Sequence, residues 1–183
     1  DQKQHIEIAR DIADRFNRLY SPTFKIPEPY IGDEGARIMS LQDPLKKMSK
    51  SDENPNGFIT MLDEPDTIRR KIQRAVTDNI GVVRYSDEQP GIKNLISIYS
   101  TISGEAPDEI VSRYRSRGYA ELKDDIAEMI VAELEPLQKK FRDYMTDKSY
   151  LEEVYKKGAE RASKAAYRTL NRMYRKIGFI PRL

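Results

Sequence analysis

Lys47-Met48-Ser49-Lys50-Ser51 sets two ammonium groups three residues apart, interleaved with two hydroxyls. The stretch around it, residues 42–57, is polar and ends in Asn54-Pro55-Asn56-Gly57, so it reads as a loop. Lysine is a compact point charge with three donors on a flexible stem, and serine adds a hydroxyl donor. That combination suits the phosphates of a nucleotide. Displacement at phosphorus asks a protein for positioning and for cations aimed at the charge that builds on the leaving group. A generic loop with two lysines is more often solvated surface. The full pentamer, however, is expected by chance in only on the order of one in ten thousand chains of this length.

A second set of charges lies near the other end. Lys157, Arg161, Lys164, Arg168, Arg172 and Arg175 recur at three- and four-residue steps, which on a helix makes one basic stripe. Tyr167 and Tyr174 flank it and are placed to stack on unpaired bases. From Lys156 to Leu183 there are nine Lys or Arg against Glu160 alone, a balance of +8. The whole chain carries +2, so the first 155 residues hold −6. A basic arm on an acidic body points to a polyanion, with single-stranded RNA the best fit. A plain solvated helix face usually mixes signs, and this one is nearly all positive.

Other chemistries are excluded by what the 183 residues lack. There is no cysteine, hence no disulfide, no thiol nucleophile and no thiolate metal site. The single His5 makes no metal site by itself. No apolar run approaches membrane-spanning length, and a soluble, cytoplasmic protein is the expectation. The chain opens at Asp1-Gln2 directly into helix-like sequence, which suggests a portion of a longer protein. With 38% hydrophobic and 34% charged residues, a wet but real core is expected.

The elements that position these groups read as mainly helical. Ile6, Ala9, Ile12, Ala13 and Phe16 share one face of a helix over 2–20, stopped by Ser21-Pro22. Arg37-Ile38-Met39-Ser40-Leu41 is a short apolar run that suits a strand, broken at Asp43-Pro44. Asp63-Glu64-Pro65 starts a helix carrying Ile68, Ile72 and Ala75-Val76. Pro90-Gly91 opens another, with Ile92, Leu95, Ile96, Tyr99 and Ile102 inward and Gly104 as its stop. Residues 119–145 follow helical spacing from Leu122 to Met145, with Pro136 inside and a kink expected there. A last helix, about 150–176, has a packing side of Leu151, Val154, Gly158, Ala162, Ala165, Ala166, Leu170 and Met173.

Lys47-Met48-Ser49-Lys50-Ser51 matches the second signature of class I aminoacyl-tRNA synthetases. Gly35-Ala36-Arg37-Ile38-Met39-Ser40-Leu41, then Asp43-Pro44 and Lys46, resembles the tryptophanyl members in particular. So do Asp1-Gln2-Lys3-Gln4-His5, Ala75-Val76-Thr77-Asp78, Pro90-Gly91 and Lys157-Gly158-Ala159, in the family's order along essentially the whole chain. The resemblance implies a helical anticodon-binding bundle attached to the tail end of a Rossmann-type α/β nucleotide-binding domain. Residues 1–62 would end that catalytic domain and 63–183 would form the helical domain, with a return of its last helix to the catalytic domain left open.

The resemblance also implies roles. Lys47 and Lys50 would contact ATP phosphates, with Met48, Ser49 and Ser51 shaping the loop. Asp1 would hold the ATP ribose, Ile38 would line the adenine pocket and Gln2 would lie near the amino acid. ATP with Mg, tryptophan and tRNA(Trp) would be the ligands, with Mg carried on ATP and no protein metal site. The resemblance puts an anticodon-binding surface on the C-terminal helices without naming its residues, and the charge pattern makes Lys157, Arg161, Lys164, Arg168 and Arg172 the tRNA-facing set. The family's first signature, His-Ile-Gly-His or a variant, is not in these residues, so the chain is expected to be inactive alone. The intact family forms homodimers. Three alternatives stay open: a tyrosyl-tRNA synthetase, a non-catalytic RNA-binding helical module, and a helical bundle that binds protein.

Overall fold

A computed structural model describes residues 3–31 and 37–180. Six α-helices account for most of them: α1 Lys3–Tyr20, α2 Pro65–Gln73, α3 Pro90–Ser103, α4 Pro107–Tyr114, α5 Tyr119–Thr146 and α6 Lys148–Ile177. A single 3-10 turn, Pro55–Gly57, closes the lysine loop. The expected mainly helical class is what the chain adopts. The chain groups into two compact units, one of residues 1–31 with 144–183 and one of residues 32–143. Compactness therefore does not follow a boundary after residue 62. Residues 37–62 pack with α2, α3 and α5, for reasons that lie in their hydrogen bonds.

In the unit of residues 32–143 the core is aliphatic. Ile68 and Ile72 of α2, Ile92, Leu95 and Ile96 of α3, Ile110 of α4, and Leu122 and Ile126 of α5 are all removed from water. They are the helix faces expected from three- and four-residue spacing. Helix α4 was not expected, although Pro107 at its first turn, acids at Asp108 and Glu109, and Ile110 with Tyr114 four apart all favour it. Helix α2 stops at Gln73, short of Val76, because its end is captured from outside. Lys123 donates to the carbonyls of Gln73 at 3.1 Å and Ala75 at 2.8 Å, while the Val76 N–H donates to Leu41 at 2.8 Å.

The apolar run 37–41 does not form a strand. Among the described residues it makes one isolated antiparallel bridge, Met39 with Lys47. A ladder needs successive bridges to one partner backbone, and here the pairing with 46–48 stops after one, because Leu41 leaves it to bond Gly57 and Val76. Helix α5 continues unbroken through Pro136. Its buried face ends near there: Leu137, Phe141 and Met145 are exposed, and Gln138 turns inward to donate to Met61 at 3.1 Å and Asp63 at 3.0 Å.

In the other unit, α1 ends in a turn built around Asn17. Its carboxamide oxygen accepts from the N–H groups of Thr23 and Phe24 at 2.8 and 2.9 Å, and its amide donates to Phe24 at 2.8 Å. Lys176 of α6 donates to the Pro22 carbonyl at 2.9 Å and to Thr23 Oγ1 at 2.7 Å. Asp147 caps the start of α6 by accepting from the Tyr150 N–H. Gly178, at φ 78°, ends it, with Phe179 N–H donating to Tyr174 at 2.9 Å. Most of the expected packing side of α6 is solvent-exposed: only Leu151 and Met173 of it are half-buried, α6 buries no residue fully, and a Cβ at Gly158 would meet open space. Periodicity states which face of a helix can pack, not that a partner lies within the described residues.

Candidate functional site

The lysine loop is a hairpin held at its stem and open at its tip. Ser40 N–H donates to Lys46 at 2.8 Å and Met48 N–H to Ile38 at 3.0 Å, so residues 38–40 and 46–48 run side by side. At the entry, Lys46 lies 3.0 Å from Asp43 and its ammonium holds that carboxyl below the usual carboxylate range. At the exit, Leu41 N–H donates to Gly57 at 2.9 Å. Gly57 permits this approach, since a Cβ there would stand 2.8 Å from Ser40 Oγ and 2.9 Å from Asp52 Oδ2. Past the returning arm, residues 49–52 turn on their own polar groups: Ser51 N–H donates to Ser49 Oγ at 3.2 Å and Asp52 N–H to the Ser49 carbonyl at 3.1 Å.

Side-chain exposure then sorts the loop by role. Lys47, Ser49, Lys50 and Ser51 are exposed, whereas Met48 is half-buried and packs on the core of the unit. Ile38 packs on the same core. One hydrophobic foot thus anchors a loop whose cations and hydroxyls face water. An anion suits these donors. Among the described residues no group of three His, Cys, Asp or Glu side chains stands ready to hold a metal. Asp1 and Gln2, expected near ribose and amino acid, lie outside the described residues, as do Gly35 and Ala36.

The basic stripe belongs to α6 and to the other unit. Lys157, Arg161, Lys164, Arg168 and Arg172 are all exposed. Lys157 pairs with Glu153 one turn earlier, and Arg172 donates to Thr169 at 3.3 Å. Tyr167 is 43% exposed, while Tyr174 is half-buried against Phe179, with ring centroids 6.0 Å apart. Tyr167 therefore presents more ring to a base than Tyr174 does.

Two residues that serve the site carried little sequence signal. Asn94, 5% exposed, bonds the backbone of Met39 from α3. Gly91 lets α3 approach the turn after α2, because a Cβ there would fall 2.1 Å from the Val76 carbonyl oxygen. Pro90-Gly91 was legible as a helix start, but nothing in the sequence tied it to Val76. Asn94 was hidden because its partner is 55 residues away.

Known proteins resemble this chain closely. A family model described as tRNA synthetases class I (W and Y) matches residues 1–135. The tryptophan–tRNA ligase of Clostridium tetani is 62% identical over 180 residues, covering 98% of this chain and 53% of that protein. That of Clostridium perfringens is 62% identical over 182 residues, covering 100% and 55%. The crystal structure of tryptophanyl-tRNA synthetase from Mycoplasma pneumoniae superimposes with a TM-score of 0.86 at 28% identity, over 98% of this chain and 54% of that one. The Campylobacter jejuni enzyme complexed with ADP and tryptophan gives 0.66 at 29% identity, over 97% and 55%. This chain spans about half the length of the curated relatives it matches, and it belongs to the class I tRNA synthetase family of the tryptophan and tyrosine enzymes.

Proposed function

We propose that the chain is the C-terminal part of a tryptophan–tRNA ligase, supplying the ATP-phosphate loop and a tRNA-binding helix face. The observation that carries this is the hairpin 38–48 with the turn 49–52 that follows it, which present Lys47 and Lys50 to solvent beside a half-buried Met48 foot. The tryptophan-specific part of the reading rests on the 62% identity to tryptophan–tRNA ligases. In the reaction, a tryptophan carboxylate oxygen attacks the α-phosphorus of ATP. A bond forms between them, and the α–β bridging bond breaks to release pyrophosphate. Lys47 and Lys50 neutralise the negative charge that grows on that leaving group. The 3′-terminal hydroxyl of tRNA(Trp) then attacks the adenylate carbonyl and releases AMP. Mg rides on the ATP phosphates, which suits a loop whose own donors are ammonium and hydroxyl groups.

In functional terms residues 1–62 complete the nucleotide-binding domain, with Asp1 toward ribose, Gln2 toward the amino acid and Ile38 toward adenine. Residues 63–183 form the tRNA-binding part, and the grouping of α6 with α1 supports its return toward the first domain. The tRNA contacts fall on Lys157, Arg161, Lys164, Arg168 and Arg172. The remaining half of a ligase supplies the other signature and the tryptophan pocket, so this chain alone makes no adenylate. The intact enzyme works as a homodimer in the cytoplasm, where tRNA is charged.

Binding of the chain to tRNA(Trp) and tRNA(Tyr) transcripts across a salt series tests this reading. Preference for tRNA(Trp) with a steep salt dependence is the expected result. Equal, salt-insensitive binding to both would remove the tRNA surface and leave only the phosphate loop.

A further inference from the structure

We propose that Asn94 is a positioning residue for the lysine loop, its buried carboxamide standing in for the missing neighbour strand that would otherwise fix the loop's stem. This rests on the reading of the loop as the ATP-phosphate site.

The backbone bonds of residues 38–41 divide between two edges. Along an extended segment, successive residues send their N–H and C=O groups to opposite edges. On one edge, Ile38 and Ser40 bond the returning arm through Met48 and Lys46. On the other edge, Leu41 bonds Gly57 and Val76. That leaves both backbone groups of Met39 facing α3. Asn94 takes both: Met39 N–H donates to Asn94 Oδ1 at 2.8 Å, and Asn94 Nδ2 donates to the Met39 carbonyl at 2.8 Å. A primary amide has an acceptor and donors side by side, so one side chain does what a strand's peptide groups would do.

The geometry makes this clamp a reference point for the lysines. Asn94 is flanked on α3 by Ile92, Leu95 and Ile96, which are fully buried and set in the core. Its own side chain is in the interior, where water does not compete for Met39. Met39 stands opposite Lys47 as the non-hydrogen-bonded pair of the antiparallel bridge, held there by the bonds of Ile38 with Met48 and of Ser40 with Lys46. The path from rigid core to cation therefore runs from Asn94 to Met39 and across that bridge to Lys47. A misplacement of about 1 Å at a reacting group can cost on the order of a hundredfold in rate, so the stem's register matters more than its stability.

The test uses the full-length ligase containing these residues and measures tryptophan-dependent ATP–pyrophosphate exchange. Asn94→Asp keeps the acceptor for Met39 N–H but loses the donor to its carbonyl. Asn94→Ser removes the clamp with little crowding and serves if the first variant does not fold. Each is expected to lower kcat about tenfold or more, with KM for tryptophan within about twofold and tRNA(Trp) affinity unchanged. Because Asn94 acts through Met39 on Lys47, its effect is expected to shrink to about twofold or less in a Lys47→Ala background. A folded Asn94 variant with unchanged kcat, or costs that multiply fully in the double variant, would overturn the proposal. If Lys50→Ala alone left exchange intact, the phosphate-loop reading itself would fall. Loss in Lys50→Ala with no loss in the Asn94 variants would leave that reading standing and remove only the clamp.

Discussion

The ammonium of Lys71 lies 2.5 Å from Asp63 Oδ2, with the two side chains 7% and 14% exposed. Asp63 also accepts from Thr60 N–H at 3.1 Å and Thr60 Oγ1 at 2.7 Å. The pair thus joins the end of the loop segment to α2. Burial by itself would raise the Asp63 pKa, but the bonds from Lys71 and Thr60 outweigh it and hold the carboxyl below its ordinary value. A lowered folded pKa means stability that is present above the unfolded value of about 4 and lost as pH falls through the folded one. Asp63→Asn is expected to flatten the fall in melting temperature below about pH 4. Asp63→Ala, which leaves Lys71 buried without its partner, is expected to cost about 3 kcal/mol at neutral pH. Melting temperatures between acid and neutral pH check both; parallel curves for parent and Asp63→Asn would remove Asp63 from the acid transition.

Lys123 has the opposite linkage. It is 8% exposed and its amine meets only the carbonyls of Gln73 and Ala75 in the recorded bonds, so burial pushes its pKa down. With the folded pKa below the unfolded value of about 10.5, the charged amine is disfavoured in the fold and stability rises as pH climbs from one to the other. Relative to Lys123→Met, the parent chain is expected to gain stability as pH rises toward about 10. Urea midpoints at neutral and alkaline pH measure the difference, and a constant gap would show that Lys123 stays charged at no cost.

Gly91→Ala tests the seam between α3 and the turn after α2. The added methyl would collide with a backbone oxygen, which cannot swing aside like a side chain. Overpacking of this kind costs about 1–3 kcal/mol. The strain falls on Val76, whose N–H holds Leu41, so the loop stem should loosen as the fold weakens. Gly57→Ala meets the ends of two side chains, Ser40 and Asp52, and is expected to cost less. Equal urea midpoints for the two variants would contradict this ranking.

What the sequence made legible follows from how local each signal is. Pro65, Pro90 and Gly104 mark helix ends through their own backbone limits, and each stands where it was expected. The aliphatic faces of α2, α3 and the first half of α5 were equally plain. The run 37–41 looked like a strand because apolar character does not reveal that Asn94, Gly57 and Val76 hold its far edge. Asn94 interrupts the apolar face of α3 and gave no hint of its partner. The small-residue side of α6 was read as packed, yet it is exposed among the described residues. Of the site itself, the loop string was legible from residue order alone. Its geometry depended on contacts such as Asn94 with Met39 that leave no periodic trace.

Lys50→Ala separates the two functions proposed for the chain. Lys50 is exposed in the turn after the hairpin in one unit, while the basic stripe lies on α6 in the other. Removing one group that stabilises transition-state charge typically costs on the order of a hundredfold or more in rate. In a full-length ligase the variant is expected to lose adenylate formation by about that factor, with tRNA(Trp) affinity nearly unchanged. Pyrophosphate exchange and tRNA titration measure the two quantities separately. An unaltered exchange rate would take the lysine loop out of the mechanism.

Arg161→Ala with Lys164→Ala addresses the stripe. Both side chains are exposed on α6, and no bond or ion pair of either is recorded among the described residues. If they touch tRNA phosphates, each releases counterions on binding, and the slope of log affinity against log salt should fall by about 1 for each charge removed. The double variant is therefore expected to bind tRNA(Trp) more weakly at low salt and to approach the parent as salt rises. Adenylate formation should stay intact, since neither residue belongs to the loop. A parallel downward shift at all salt concentrations would mean that the pair shapes the fold of α6 rather than meeting phosphate. Unaltered affinity would return these residues to ordinary solvated surface.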